Sequence, residues 1–304
     1  MLGNIPKEVK IVEVGPRDGL QNEKVSLSLD DKLEYIKLLA QTGLTTIEAT
    51  SFVRKDKIPQ MADAKKLFSE LKQYDFYENL NFPCLVPNMI GFDKAKAVGV
   101  KEISLFSATS DLFTQKNINC SIDESFERMR EVAKAAKNDG MKIRGYISTV
   151  FGCPYAGKIS TPQIIKVVEK FLDLGVYEIS LGDTIGVATP GQVNDILTEL
   201  LKIINIDMLA MHFHDTRGLA LANILVSLDK GIHIYDASSG GLGGCPYAKG
   251  ATGNVATEDV LYLLESLGVK TGVDMDKLYT ASQFILEKVG KKSPSKFIEN
   301  HFKK

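Results

Sequence analysis

The stretch Ile11-Val12-Glu13-Val14-Gly15-Pro16-Arg17-Asp18-Gly19 decides between two architectures. Its first four residues have the length and β-branched content of a buried strand. A doubly wound sheet usually follows its first strand with Gly-x-Gly-x-x-Gly, a turn that lets backbone N–H groups approach a pyrophosphate. Gly15-Pro16-Arg17-Asp18-Gly19 lacks that spacing. Seven more strand-like runs follow, at 46–50, 82–86, 102–106, 142–150, 178–181, 208–213 and 232–237. Helical periodicity occupies 30–40, 123–136, 163–174, 193–204, 219–228 and 257–267. Eight strands alternating with helices over roughly 250 residues predict a (β/α)8 TIM barrel.

Local signals agree with that reading. Thr161-Pro162 and Thr189-Pro190 open helices with proline at the first helical position. Gly43, Gly99, Gly140, Gly175 and Gly231 each stand between a helix and the next strand, where a left-handed residue ends the helix. An additional C-terminal helix is expected at 274–289. The barrel then spans about 10–268 and a C-terminal helical extension about 269–304. No Pro/Gly/Ser-rich linker divides the chain, so one catalytic domain over 1–304 is expected.

Composition limits the partners. The chain has 304 residues, 44% hydrophobic and 25% charged, with a net charge of −1, which offers no electrostatic case for nucleic acid. No run approaches a membrane span, and the first residues carry no signal-peptide pattern, so a cytoplasmic protein that does not engage a membrane is expected. Cys84, Cys120, Cys153 and Cys245 form no Cys-x-x-Cys pair and are expected to be free thiols.

In a barrel of this kind the chemistry sits at the C-terminal ends of the strands. Unusual polar groups gather there: Arg17-Asp18, Glu48, Gly182-Asp183-Thr184, His212-Phe213-His214-Asp215 and the glycine-dense run from Gly240 to Gly253. Residues two apart on a strand share a face, so His212 and His214 can both point into the barrel mouth. A bare His-x-His also describes a hydrogen-bonded core pair. The carboxylates and amides at neighbouring strand ends favour a metal, with Asp18 and Asn254 able to add oxygen ligands. Mixed imidazole and oxygen ligands without thiolate suit Mg2+ or Mn2+.

Arg17 reads either as a surface salt bridge to Asp18 or as a fixed cation over a developing enolate oxygen, oriented by Glu48. Arg17 and Asp18 can both reach the mouth only if the chain has already turned at Gly15-Pro16. Cys245 reads either as a small buried thiol or as an acid–base group on a closing loop. Cys153, in the similar string Cys153-Pro154-Tyr155-Ala156-Gly157, is given a structural role. Lys24 is either solvated surface or a contact for an anionic substrate arm.

Three segments resemble the 3-hydroxy-3-methylglutaryl-CoA lyase family: Glu13 through Glu23, His212 through Asn223, and Gly241 through Ala248 with Gly250 and Gly253 through Asp259. Ser180 through Gly186 also fits, and the likeness runs from about Ile11 to about Gly268. It implies a TIM barrel that splits hydroxymethylglutaryl-CoA into acetyl-CoA and acetoacetate with Mg2+ or Mn2+. By residue matching it implies Asp18, His212, His214 and Asn254 as metal ligands, Arg17, Glu48 and Cys245 as catalytic groups, and Asp183 as a further acidic active-site residue. It also implies Asp18 as a base, a substrate role for Lys24 and Arg17, an acyl-CoA substrate and a homodimer. Three rivals remain: a lyase for a related 3-hydroxyacyl-CoA, a condensing acyltransferase of the same superfamily, and a non-catalytic metal-binding barrel. The transferases usually carry glutamate where Leu20 stands, and a further regulatory domain.

Overall fold

Parallel strands buried on both sides need a cover of helices, and the chain supplies them in alternation. The computed structural model describes residue 3, residues 5–244 and residues 253–301. Within these residues the order is β1 (Lys10–Glu13), α1 (Leu29–Ala40), β2 (Thr46–Ile47), β3 (Thr50–Ser51), α2 (Ala64–Leu71), β4 (Cys84–Leu85), α3 (Met89–Ala97), β5 (Glu102–Ala108), α4 (Asp111–Ile118) and α5 (Ile122–Asn138). It continues with β6 (Lys142–Ser148), α6 (Thr161–Leu174), β7 (Glu178–Asp183), α7 (Pro190–Leu200), β8 (Leu209–Phe213), α8 (Ala220–Asp229), β9 (Ile234–Ala237), α9 (Thr257–Ser266), α10 (Met275–Val289) and α11 (Lys296–His301).

The sheet runs β2-β1-β9-β8-β7-β6-β5-β4-β3. Its two ends are halves of one interrupted stave, so the sheet closes on itself. Across the interruption Glu48 N–H donates to Glu13 O on one side, and Ala49 N–H donates to Pro83 O on the other. Eight staves therefore make the barrel, as the alternation predicts. Where one strand was expected over 46–50, the pairing switches neighbours at Glu48-Ala49.

Register separates two faces. Arg144 pairs with Glu178, Tyr146 with Ser180, and His212 with Asp236, and all of these side chains meet inside the barrel. Their neighbours in sequence, such as Ile143, Ile147, Ile179, Leu181 and Met211, are buried in the layer between staves and helices. A small separate cluster, Val12, Val14, Ala210 and Ile234, fills part of the interior. The main apolar core is thus the shell outside the staves, and the interior is largely polar.

Helix starts follow their caps. Ser121 accepts from Glu124 N–H while the Glu124 carboxylate accepts from Ser121 N–H, a reciprocal cap at the start of α5. Thr189 and Gln192 do the same for α7, which begins at Pro190, three residues before the expected start. Gly43 (φ +94°) and Gly175 (φ +70°) take the left-handed conformation expected of them. The short helices α2, α3 and α4 were not anticipated. Each has only two turns or a little more, too few to establish a 3.6-residue period. The C-terminal extension holds two helices rather than one: Ser295 accepts from Ile298 N–H, and Asp259 accepts from Phe297 N–H, to start α11.

At Gly145 on β6 the outer face touches α6 closely: a Cβ there would lie 2.7 Å from the Phe171 ring. Gly145→Ala should therefore cost about 1–3 kcal/mol of stability, measured by urea unfolding, because the core must shift to admit one methyl.

Candidate active site

Asp18 reaches the mouth because the chain turns as soon as β1 ends. The N–H groups of Arg17, Asp18 and Gly19 all converge on Val14 O, at 3.2, 2.8 and 3.1 Å. This single wide turn over Gly15–Gly19 lets two consecutive residues face the same site. Gly15 and Gly19 have no room for a side chain. A Cβ on Gly15 would lie 2.3 Å from Tyr35 Oη, and one on Gly19 would lie 2.8 Å from Ser238 Oγ.

His212 is the penultimate residue of β8 and His214 follows the strand's end, so both rings face one way, with centroids 5.3 Å apart. Asn254 arrives by a different device. Residues 253–256 pair between the ends of β8 and β9: Val255 N–H donates to Phe213 O, and Ser238 N–H donates to Val255 O. An antiparallel bridge then sets Asn254 opposite His214.

Ligand-type atoms of Asp18, His212 and His214 lie within 4.8 Å of one another. Asn254 Nδ2 donates to Asp18 Oδ2 at 2.9 Å and to Leu242 O at 3.2 Å. His214 Nδ1 and Asn254 Oδ1 are buried without a hydrogen-bond partner in the structure. Buried polar atoms normally find partners, so these two orphans, beside a carboxylate and a second imidazole, fit a cation. Burial and the neighbouring His212 bring the His214 pKa down to about 4, which leaves one ring nitrogen unprotonated. Burial also opposes charge on His212, but Asp236 and Asp18 outweigh it and raise its pKa. Asp18 is held below the usual carboxylate range: burial works against this, and Arg17 and both histidines prevail.

Arg17 is buried and doubly paired. Its Nη2 lies 2.6 Å from Glu48 Oε2 and its Nη1 lies 2.6 Å from Asp18 Oδ1. The surface salt-bridge alternative therefore fails on burial. Glu48 Oε1 remains without a partner.

A set of residues beneath these was not anticipated. His212 Nδ1 lies 3.2 Å from Asp236 Oδ2, so its Nε2 is the nitrogen turned toward Asp18. Asp236 in turn accepts from Ser180 Oγ at 2.7 Å and pairs with Arg144 Nη2 at 2.7 Å. Arg144 also donates to Glu178 and to Tyr146 Oη, and Tyr146 Oη donates to Glu48. The signal was present: Arg144 and Asp236 are charges inside apolar strand runs.

Asp183 is held by its own loop, though His212 is near enough to act on its charge. Both carboxylate oxygens of Asp183 accept loop N–H groups, from Val187 at 2.8 Å and Ala188 at 3.0 Å. In register Asp183 stands beside Phe213, on the opposite face from His212. Burial raises its pKa to about 6. Lys24 is exposed on the stretch between the Gly15–Gly19 turn and α1. Cys245 lies outside the described residues. Cys84, Cys120 and Cys153 are free and buried, as expected. Ser110 and the N–H groups of Tyr155 and Ala156 surround the Cys153 sulfur.

The HMGL-like family profile matches residues 8–285, from before β1 into α10. The chain belongs to the HMGL-like family. Among curated relatives of this chain is the mitochondrial hydroxymethylglutaryl-CoA lyase of Rattus norvegicus, 52% identical over 295 residues, which cover 97% of this chain and 90% of that protein. A cytoplasmic 3-hydroxy-3-methylglutaryl-CoA lyase of the same organism is 49% identical over 302 residues, covering 99% and 87%. The crystal structure of hydroxymethylglutaryl-CoA lyase from Pseudomonas aeruginosa superposes with a TM-score of 0.94 at 47% identity, covering 98% of each chain. The HMGL-like barrel seen here keeps its polar cluster at the C-terminal ends of β1, β2, β8 and β9.

Removing the Arg144 guanidinium would strand Asp236 and Glu178 in the interior. Arg144→Met should lose about 3–5 kcal/mol of stability in urea unfolding, as expected when one partner of a buried pair is deleted.

Proposed function

We propose that this protein cleaves a carbon–carbon bond of 3-hydroxy-3-methylglutaryl-CoA, a retro-Claisen reaction, giving acetyl-CoA and acetoacetate. The observation that carries this reading is the convergence of Asp18, His212 and His214 beside a buried Arg17–Glu48 pair, in a chain about half identical to lyases of that name. Asp18, His212, His214 and Asn254 would hold a divalent cation, Mg2+ or Mn2+. Bound there, it would polarise the substrate's hydroxyl and carboxylate oxygens.

The protein's own groups divide the remaining work. Asp18, or a group beside it, takes the proton from the tertiary hydroxyl. The bond between the hydroxyl-bearing carbon and the thioester methylene breaks, and its electron pair passes into the thioester enolate. Arg17, locked by Glu48, holds the enolate oxygen, where charge appears only as the bond breaks. Cys245 delivers a proton to the enolate carbon to complete acetyl-CoA. Asp183 holds the loop after β7, and Lys24 meets an anionic arm of the substrate.

The same reading covers setting and assembly. The whole chain serves as one catalytic unit: α10 is tied back to the barrel through Lys288–Asp31 and through Asp274 N–H to Thr42 O. A homodimer in the cytoplasm is proposed, the latter in line with the cytoplasmic relative. No helix among the described residues is long and apolar enough to cross a membrane.

The deciding assay incubates EDTA-stripped protein with hydroxymethylglutaryl-CoA, with and without Mg2+ or Mn2+, and measures acetoacetate. Metal-dependent product is expected, and its absence would sink the proposal. Cys245→Ala should keep its metal affinity yet lose turnover by about 100-fold or more, the usual scale for a proton-transfer group. Near-normal turnover would remove Cys245 from the reaction.

Protons compete with a cation for His212. Its folded pKa is raised, so metal affinity should be full above that pKa and fall by about tenfold per pH unit below it. Titration of the stripped protein with Mn2+ across pH 5 to 8 measures this. Asp236→Asn should move the decline to lower pH.

A further inference from the structure

Glu13 is a fully buried carboxylate on the wrong face of its strand. In register it sits beside Ala237 and Ile47, on the outer side of the barrel where the neighbouring side chains are apolar. Among the described residues it has no ion-pair partner. What it has is hydrogen-bond donors from three residues. Gly15 N–H and Ser239 N–H both donate to Oε1, at 2.8 and 2.9 Å, and Thr257 Oγ1 donates to Oε2 at 2.8 Å. A carboxylate buried without a cation costs stability, and burial pushes this one up to about 7. An apolar side chain would fill the space at less cost, so the hydrogen bonds themselves need a reason.

Each donor belongs to a segment that ends at the site. Gly15 opens the turn that carries Arg17 and Asp18. Ser239 opens the turn Ser239–Gly241, followed directly by Leu242, whose carbonyl accepts from Asn254 Nδ2. Thr257 begins α9, three residues after Asn254, and its N–H donates to Ser238 O. The Asn254 amide then closes the ring by donating to Asp18. One carboxylate thus joins the backbones that deliver Asp18 and Asn254, from the side opposite to the site.

We infer that Glu13 is a positioning residue, which holds Asp18 and Asn254 in register with each other by clamping the Gly15 turn to the Ser239 turn and the start of α9. The inference rests on the proposed metal site, since Asp18 and Asn254 supply its oxygen ligands. Glu13 touches neither, and so acts only through the backbone. Glu13→Met roughly preserves size, but it accepts none of these hydrogen bonds, whereas glutamine could keep them by reversing the one to the Thr257 hydroxyl.

The test uses the EDTA-stripped full chain and two readouts, Mn2+ titration followed by the free-ion EPR signal and hydrogen exchange without metal. In Glu13→Met, exchange should quicken together in residues 14–20 and 238–242, and the Mn2+ dissociation constant should rise by about tenfold or more, as for other groups that orient ligands. A merely space-filling Glu13 would leave Mn2+ affinity unchanged. Quickened exchange in only one segment, or in neither, overturns the clamp, and so does unchanged Mn2+ affinity in a variant whose two segments have loosened. If Glu13→Met does not fold, Thr257→Val carries the test. A weakening of about threefold, the worth of one modest hydrogen bond, supports the inference, and unchanged affinity overturns it. Failure of the wild-type protein to bind Mn2+ is a different result, which brings down the metal reading and this inference with it.

Discussion

A guanidinium with no access to solvent organises the barrel interior. Arg144 is completely buried, and its charge is tolerable only because Asp236 and Glu178 meet it at 2.7 and 2.5 Å. Burial works against its charge, and the surrounding carboxylates prevail. The same contacts reach upward. Asp236 fixes which nitrogen of His212 faces the mouth, and Tyr146, whose ring lies near both the Arg144 and Arg17 guanidinium groups, passes a hydrogen bond to Glu48. The site's rotamers are therefore set from below, by a network of charged and polar groups in which each member is held by at least one other. Such a network is rigid when complete and costly when broken, which makes it suitable as a floor for chemistry.

Above that floor, the mouth residues are delivered by irregular backbone. The Gly15–Gly19 turn breaks strand geometry so that Arg17 and Asp18 face one way, and residues 253–256 enter between two strand ends to bring Asn254. Neither device would persist without support from the shell around the barrel. Glu258 provides a second such support: its carboxylate accepts from Gly240 N–H and from Ser282 on α10. The C-terminal extension thereby contributes to the shape of the mouth while lying outside it.

The alternation of strands and helices was legible because both faces of a parallel stave are buried, which leaves long apolar runs separated by capped helices. His212, His214, Asp18 and Arg17 were legible for a positional reason, being polar groups at strand ends. Arg144 and Asp236 escaped because they lie inside strands, where polar residues had been read as part of an otherwise apolar run. Their inward register becomes visible only when neighbouring strands are aligned. Helices α2, α3 and α4 escaped because two turns do not establish a period. Asn254 could be assigned as a ligand candidate, but the bridge to His214 that places it is a tertiary pairing with no local signature. Asp183 also stands at a strand end, and there its carboxylate accepts from loop N–H groups.

The charge balance of the interior also bears on what the site can accept. Four carboxylates, Asp18, Glu48, Glu178 and Asp236, share the cluster with two guanidinium groups and with Lys10, which pairs with Glu178 from the lower rim. Glu102 is also buried near Arg144 and Lys10, so carboxylates outnumber the cations. Asp236 and Asp18 raise the pKa of His212, while burial and His212 lower that of His214. A divalent cation at Asp18 would offset the excess of carboxylates. An anionic substrate carboxylate would then meet that cation, with Arg17 still committed to Glu48 and Asp18 and therefore already oriented. Proton and cation binding at the mouth would in this way be coupled through the carboxylates that surround Arg17 and Arg144.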